Sequence, residues 1–423
     1  MAVSYRHDVP VAVSLYHLIS ATINQMKPSS HITVKLDKIV GGGQALGTLE
    51  DGRKVFVWGG LPGETVTARI TKKKASYIEA VVESVEIPSK ERIAPRDPDS
   101  YLSTSPWQIM SPEVEQHYKA ALIEEAFELH GVTLPHAITV RTDGNIYGYR
   151  NKIEFSWYGS VGEEGVEKLD LAFFRRGSKG KIPVRGTSLA HENINTLARS
   201  VRDLLQHKGV SARELKTLLI RSDSNGACVW QLYVKDNTFT YINATDAAAL
   251  PAIGGEVIYS DPKSPASRIT KRLALFGNAI LSDKVLGIDF SYATEGFFQI
   301  NLPVYEQSLL DMKSFMPDDA AVLDLYSGVG TIGLTIGGDA PELIEINEDA
   351  VREMNRNIER LDSNAHAILA SSESAVDYIT AEKTIIVDPP RAGLHDAVIE
   401  RLLQAAPHRI IYLSCNPVTQ ARD

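Results

Sequence analysis

The chain has 423 residues, 43% apolar and 23% charged, enough for two or three domains with their own cores and ordinary for a soluble globular protein. Two cysteines, Cys228 and Cys415, exclude a disulfide scaffold and fit a reducing, cytoplasmic setting, and no apolar run is long enough to span a bilayer as a helix. The formal net charge of −9 is uneven: residues 1–95 hold 12 Lys/Arg against 9 Asp/Glu, +3, leaving −12 for the rest, which suits a local contact of the front end with RNA rather than a general coating of basic charge.

Residues 1–29 read as an extension. Val9 to Ile23 is mildly apolar, but Pro10 and His17 interrupt it and no small-residue cleavage site follows. Residues 30–88 then predict a small OB-like β-barrel. The strand-like runs include His31 to Leu36, Lys54 to Trp58, Thr65 to Ile70 and Tyr77 to Val82. Gly41-Gly-Gly, Asp51-Gly and Gly59-Gly-Leu-Pro-Gly supply the turns between them. Lys72 to Lys74 are expected on the turn before the last strand, either as a solvated turn or as an RNA contact. Ile87 to Met110 is a proline-punctuated linker. A helix follows, with Ser111 as its cap, Pro112 in its first turn and Gly131 as its stop; Val114, Tyr118, Leu122 and Ala126 form its apolar stripe.

Residues 138 to 288 read as a mixed α/β region. Its strand candidates are Lys152 to Trp157, Asp170 to Phe174 and Cys228 to Val234, and Glu192 to Lys208 is its one clear amphipathic helix. Cys228, in an alternating strand, reads as a small core residue. The eleven histidines are scattered without metal-ligand spacing, so no metal site is expected.

From about Ser291 the period changes to strand–helix alternation. The predicted strands are Ala321 to Leu325, Leu343 to Glu345, Ala365 to Ala370, Lys383 to Asp388 and Arg409 to Ser414, with a helix over Asn347 to Leu361. This predicts a doubly wound parallel sheet with right-handed crossovers, whose ligand site lies beyond the carboxyl ends of the strands. Three motifs fall at those ends. Asp324-Leu-Tyr-Ser-Gly-Val-Gly-Thr is read as a Gly-x-Gly turn alone, and Glu345, about twenty residues on, can accept the hydroxyls of a ribose. Asp388-Pro-Pro-Arg-Ala-Gly puts a carboxylate and the Arg391 guanidinium at the same face, as site groups or as a solvated salt bridge. Cys415 follows the last strand, and a helix starting near Val418 would favour its thiolate. No Gly-Lys-Ser/Thr P-loop occurs, which disfavours ATP chemistry.

Together these stretches resemble the RNA uracil-5-methyltransferase family. The matching residues are Gly296-Phe-Phe-Gln-Ile-Asn, Asp324-Leu-Tyr-Ser-Gly-Val-Gly, Glu345-Ile-Asn-Glu-Asp-Ala-Val, Asp388-Pro-Pro-Arg-Ala-Gly-Leu and Ser414-Cys-Asn-Pro-Val-Thr-Gln-Ala-Arg-Asp. Tyr149-Arg-Asn-Lys-Ile matches in the middle region, and Gly47 to Val57 and Leu61 to Val66 resemble the TRAM domain, an RNA-binding barrel. The resemblance implies a class I S-adenosylmethionine-dependent methyltransferase domain, Rossmann-like, over 291–423, after the TRAM-like barrel and a linker, helix and central α/β domain over 89–290. It implies that Gln299, Tyr326, Glu345 and Asp388 line the S-adenosyl-L-methionine pocket, supported by Gly328, Gly330, Thr331 and Arg391, and that Cys415 is the nucleophile.

Two departures qualify this. The stretch Pro95 to Gln108 has none of the cysteines that hold an iron–sulfur cluster in many relatives, so no cluster is expected. The family's general base lies downstream of the nucleophile, and this sequence ends at Asp423, so the domain is expected to be shortened at its C-terminal end, with turnover in doubt. The expected activity is methylation of C5 of a uridine in RNA, with 23S rRNA as substrate because a TRAM barrel is more typical of the ribosomal branch. The alternatives are a tRNA uridine-5-methyltransferase, or an RNA-binding protein without turnover. An amino-group methyltransferase is disfavoured by Arg391 and Cys415. A monomer away from membranes is expected.

Overall fold

The computed structural model describes residues 31–162, 165, 167–317 and 320–423; the expected extension, 1–29, and Ser30 lie outside them. The chain divides into two compact units, residues 1–92 and 93–423.

In the first unit, five strands close into a barrel: β1 (His31–Val40), β2 (Gln44–Thr48), β3 (Lys54–Trp58), β4 (Thr65–Lys73) and β5 (Tyr77–Ile87). Their order is β1-β2-β3-β5-β4, with β3 and β5 parallel and the other pairs antiparallel. Alternate residues such as Val34, Leu36, Ala45, Val55, Val57, Val66, Ala68, Ile78 and Ala80 fill its interior. The glycines beside Leu61 make a loop rather than a strand, and the buried Glu64 closes it. Its carboxylate accepts from the N–H groups of Leu61 (2.8 Å) and Ser89 (3.1 Å) and from Arg92 Nε (2.5 Å) and Nη2 (2.7 Å).

The barrel corrects the expectation for the lysines. β4 runs on through Lys73, so only Lys74 remains in the turn. Pairing opposite Glu79 is the physical reason: Lys72 Nζ donates to Glu79 at 2.7 Å and lies 5.5 Å from the centre of the Tyr77 ring. β2 is an additional strand.

The second unit begins with a one-turn helix, α1 (Tyr101–Thr104), and the long α2 (Pro112–Glu128), capped by Ser111 as expected. Of the expected stripe on α2 only Ala126 is buried. A seven-stranded sheet follows, built from β6 (Lys152–Val161), β7 (Glu167–Phe174), β8 (Lys181–Val184), β9 (Leu215–Ser222), β10 (Cys228–Val234), β11 (Gly254–Tyr259) and β12 (Lys271–Gly277), in the order β12-β11-β10-β9-β6-β7-β8. Helix α3 (Glu192–His207) packs Ile194, Leu197, Ala198, Val201 and Leu205 on this sheet; α4 (Ala244–Ala248) is short.

Several of these strands escape a periodicity reading. β9 is covered on both faces and does not alternate. β11 opens on Gly254-Gly255, which reads as a turn. Gly255 is needed there because a Cβ would stand 2.0 Å from the Trp230 ring. Cys228 is a buried core residue, as expected.

A hairpin, β13 (Ile280–Val285) and β14 (Ile288–Ala293), sends Leu281, Val285, Phe290 and Tyr292 into one core with Val322, Ile332 and Ile386. The remaining elements alternate: α5 (Leu302–Ser314), β15 (Ala321–Leu325), α6 (Thr331–Ile336), β16 (Glu342–Glu345), α7 (Glu348–Arg360), β17 (His366–Leu369), β18 (Lys383–Val387), α8 (Asp396–Ala405), β19 (Arg409–Tyr412) and α9 (Pro417–Arg422). The five strands are all parallel, in the order β17-β16-β15-β18-β19. Successive crossovers leave β15 in opposite directions, which makes the crevice beyond β15 and β18 the topological switch point. β19 is an edge strand with Ile410 exposed.

Candidate active site

The loop after β15 is shaped by its backbone. Tyr326 takes φ +67°, a conformation that strains a residue with a side chain, and Gly328 and Gly330 follow at +58° and +87°. Ser327 Oγ donates to the Asp324 carbonyl at 2.6 Å, and Asn357 Nδ2 of α7 donates to the Val329 carbonyl at 3.1 Å. A third glycine, Gly333, stands three residues after Gly330, which a reading of Gly-x-Gly alone passed over. A Cβ on Gly333 would lie 2.1 Å from Leu343 Cδ2 and 3.2 Å from Asp324 Oδ2, so glycine lets α6 approach the sheet closely.

Glu345, at the end of β16, accepts from Gly328 N–H at 3.0 Å and from Asn347 N–H at 2.7 Å. It thus fixes the glycine loop to the second strand. Beside it lies a cavity of about 80 Å³ lined by Tyr326, Ile344, Glu345, Ile346 and residues 370–373. The Tyr326 hydroxyl accepts from Ser372 Oγ at 2.8 Å, a partner not singled out in the sequence. Burial pushes the Tyr326 phenol up. Thr331, first in α6, shares a 3.0 Å hydrogen bond with the Tyr305 hydroxyl of α5.

Two carboxylates crowd the same end of the sheet. Asp324 is completely buried, with Oδ2 accepting from Gly333 N–H at 3.0 Å and Oδ1 without a protein partner. Burial, together with the negative charges of Asp388 and Glu345, pushes its pKa up to about 8. Asp388, just past β18, is pushed up to about 6 by burial. No ion pair joins it to Arg391 among the described residues; Arg391 is exposed and contributes its carbonyl instead.

Cys415 is exposed, three residues past β19. The loop carrying it is tied to the Asp388–Leu394 loop. Asn416 caps α9 through Val418 N–H (3.2 Å) and donates from Nδ2 to the Arg391 carbonyl (3.3 Å); Thr419 Oγ1 donates to the same carbonyl (3.4 Å), and Arg422 Nη2 to that of Ala392 (2.9 Å). Asp423 completes the tie, accepting from Leu394 N–H, the Tyr412 hydroxyl (both 2.8 Å) and Arg422 Nε (2.9 Å). Burial alone would raise the Asp423 pKa, but these hydrogen bonds outweigh it and hold the carboxyl below its usual range. Asp423 stood in a quoted motif, yet only the folded loops reveal its partners.

Gln299 lies on the irregular segment between β14 and α5. Its backbone is held by Asn151, whose Nδ2 donates to the Gln299 carbonyl at 2.9 Å. The structure thus brings Tyr326, Gly328, Glu345 and Asp388 to one sheet end, and ties the Cys415 loop to the loop after Asp388. It also turns the Arg391 guanidinium outward.

Residues 374–423 match the family described as tRNA (Uracil-5-)-methyltransferase, and residues 29–82 match the TRAM domain. The chain is 28% identical over 396 residues to an uncharacterized RNA methyltransferase of Lactobacillus johnsonii, covering 88% of this chain and 86% of that one. It is 27% identical over 428 residues to another of Fusobacterium nucleatum, covering 94% and 89%. In fold it resembles the Pyrococcus abyssi tRNA (uracil-54, C5)-methyltransferase solved in complex with S-adenosyl-L-homocysteine, with a TM-score of 0.73, 19% identity, and 93% and 92% coverage. Two separate family patterns, one on the barrel and one over the C-terminal residues that include Cys415, therefore meet in one chain that is similar over most of its length to proteins named as RNA methyltransferases.

Proposed function

We propose that this chain methylates C5 of a uridine in RNA through a covalent bond between Cys415 and C6 of the base, with S-adenosyl-L-methionine as methyl donor. One observation carries the reading: the one exposed thiol of the chain stands in a loop bonded to the loop that follows Asp388. The cofactor assignment rests on the cavity beside Glu345. Tyr326, Ile344 and Ile346 offer apolar and aromatic walls for a nucleoside. Each Glu345 oxygen, engaged by one backbone N–H, keeps a second lone pair for a ribose hydroxyl. S-adenosyl-L-methionine bound there supplies an electrophilic methyl group.

C5 of uracil is too weak a nucleophile to take that methyl group unaided. The Cys415 thiolate forms a bond to C6, and the C5–C6 π pair moves onto C5 and the O4 enolate. With that donor bound, C5 would bond the methyl carbon, the electron pair of the broken C–S bond staying on the donor's sulfur. A base removes the C5 proton, the double bond re-forms, and Cys415 leaves as thiolate. Because the thiol must reach a ring face, the target uridine has to leave its stack, which favours loop or single-stranded RNA.

The TRAM barrel supports 23S rRNA as the substrate. A second reading, tRNA, is favoured by the names of the matched family and of the Pyrococcus protein. The test uses 23S rRNA and tRNA transcripts carrying 5-fluorouridine, whose C5 fluorine cannot leave as a cation, so the adduct persists whether or not a base is at hand. Incubation with the protein and S-adenosyl-L-methionine should give a band stable on a denaturing gel for one RNA class, lost in Cys415→Ala and retained in Cys228→Ala. An adduct in Cys415→Ala, or none with either RNA from the wild-type chain, would overturn the covalent reading.

A further inference from the structure

The segment that carries Gln299 makes neither strand nor helix, yet Thr294 and Phe298 in it are buried. Its backbone carbonyls must be paired from elsewhere. Arg221, on β9, supplies most of the donors. Its Nη1 donates to the Gly296 carbonyl at 2.8 Å and, at 3.4 Å, to those of Ala293 and Thr294; its Nη2 donates to the Phe298 carbonyl at 3.0 Å. The guanidinium carbon lies 5.1 Å from the centre of the Tyr292 ring, which stacks on Phe298 at 4.0 Å. Asn151, next to β6, takes the far end of the segment through the carbonyls of Gln299 (2.9 Å) and Ile300 (3.4 Å).

We propose that Arg221, together with Asn151, is a positioning residue for the cofactor pocket: from the seven-stranded sheet it sets the backbone of residues 293–300, and thereby the place of the Gln299 side chain. The proposal rests on the reading that Gln299 lines that pocket. A purely architectural role fits the chemistry less well. Arg221 is only 1% exposed and its Nε has no protein partner. Asp283 and Glu295 offset its charge in part, but burial still pulls the guanidinium pKa down to about 10. Burying a cation this deeply opposes stability. What Arg221 provides that an apolar residue of similar volume could not is a planar fork of donors reaching carbonyls spread over six consecutive residues. Lysine, with a single ammonium, cannot span them.

The experiment compares the full chain with Arg221→Lys, Arg221→Met, Asn151→Ala and Gln299→Ala. Binding of S-adenosyl-L-homocysteine is measured by calorimetry, binding of an RNA transcript by anisotropy, and backbone order by hydrogen exchange over residues 293–300. Arg221→Lys and Arg221→Met should weaken S-adenosyl-L-homocysteine binding at least tenfold and speed exchange in 293–300, with RNA affinity within twofold of wild type. Asn151→Ala should do the same more weakly, about threefold. If Gln299→Ala weakens binding while a folded Arg221→Lys leaves affinity and exchange at wild-type levels, the positioning role is overturned alone. If Gln299→Ala binds as wild type, the pocket assignment of Gln299 is what fails, and the positioning role falls with it. Should both Arg221 variants fail to fold, Asn151→Ala decides: unchanged affinity and exchange overturn the proposal, and changes in both sustain it.

Discussion

Removing the Asp423 carboxylate should detach the loop that follows β18 from the loop that carries Cys415. In Asp423→Ala the Leu394 N–H and the Tyr412 hydroxyl both lose their acceptor. The Asp423 side chain is only 1% exposed, whereas that of Arg422 is 53% exposed, so the ion pair between them adds little. Hydrogen bonds to an ionised group contribute roughly 1.5–3 kcal/mol each, and water can reach the half-buried Tyr412 once the carboxylate is gone. The expected net loss is therefore about 2–4 kcal/mol, roughly a 30- to 1,000-fold rise in the open population of the two loops. Limited trypsin cleavage after Arg391, under native conditions, reads that opening directly. A double-mutant cycle with Tyr412→Phe isolates their shared bond and should give a coupling of about 1–2 kcal/mol. Cleavage rates equal to wild type, with additive single-mutant losses, would refute the clamp. The pH sign follows from the depressed pKa of Asp423: its stabilisation is present above the ordinary carboxyl pKa and is lost as pH falls through the lower folded value, so the loops should open in acid, below about pH 4.

Asp324 has the opposite sign. Its pKa is raised to about 8, so the stability it contributes is complete below the unfolded carboxyl value near 4 and is lost as pH rises toward 8. At about 1.4 kcal/mol per pH unit, on the order of 3 kcal/mol should disappear between pH 5 and pH 7.5. Asp324→Asn, which cannot ionise, should flatten that slope in urea unfolding; identical slopes in both proteins would reject the assignment. In the barrel, Glu64→Ala leaves the half-buried Arg92 guanidinium and the Leu61 and Ser89 N–H groups without their carboxylate. It should cost about 3–5 kcal/mol, with Glu64→Gln milder. Loss of slow hydrogen exchange across residues 31–87 in Glu64→Ala is the readout, and wild-type protection there would count against it.

Much of this protein was determined by its sequence. The central parallel strands β15 and β18 fall on short apolar runs, because a strand buried on both faces leaves a run that period and length can mark, whereas the edge strands β17 and β19 are partly exposed. The motifs after β15, β18 and β19 point to one crevice, because a doubly wound sheet has one switch point. Cys228 and Cys415 separate for the same reason, one inside an apolar run and one beyond its end. What tertiary structure alone decided is how those loops are held. Asp423 serves Leu394 and Tyr412, Asn357 holds Val329, and Arg221 and Asn151 hold the segment bearing Gln299. The partners of Asn151 and Arg221 lie 72 or more residues away in sequence. The middle sheet was only half legible, since β9 does not alternate and β11 begins with two glycines whose purpose appears only when the Asn278 backbone packs against Gly254 and the Trp230 ring against Gly255. Periodicity reports burial along one element. Hydrogen bonds between distant elements form only when folding brings their ends together, and no local pattern encodes that meeting.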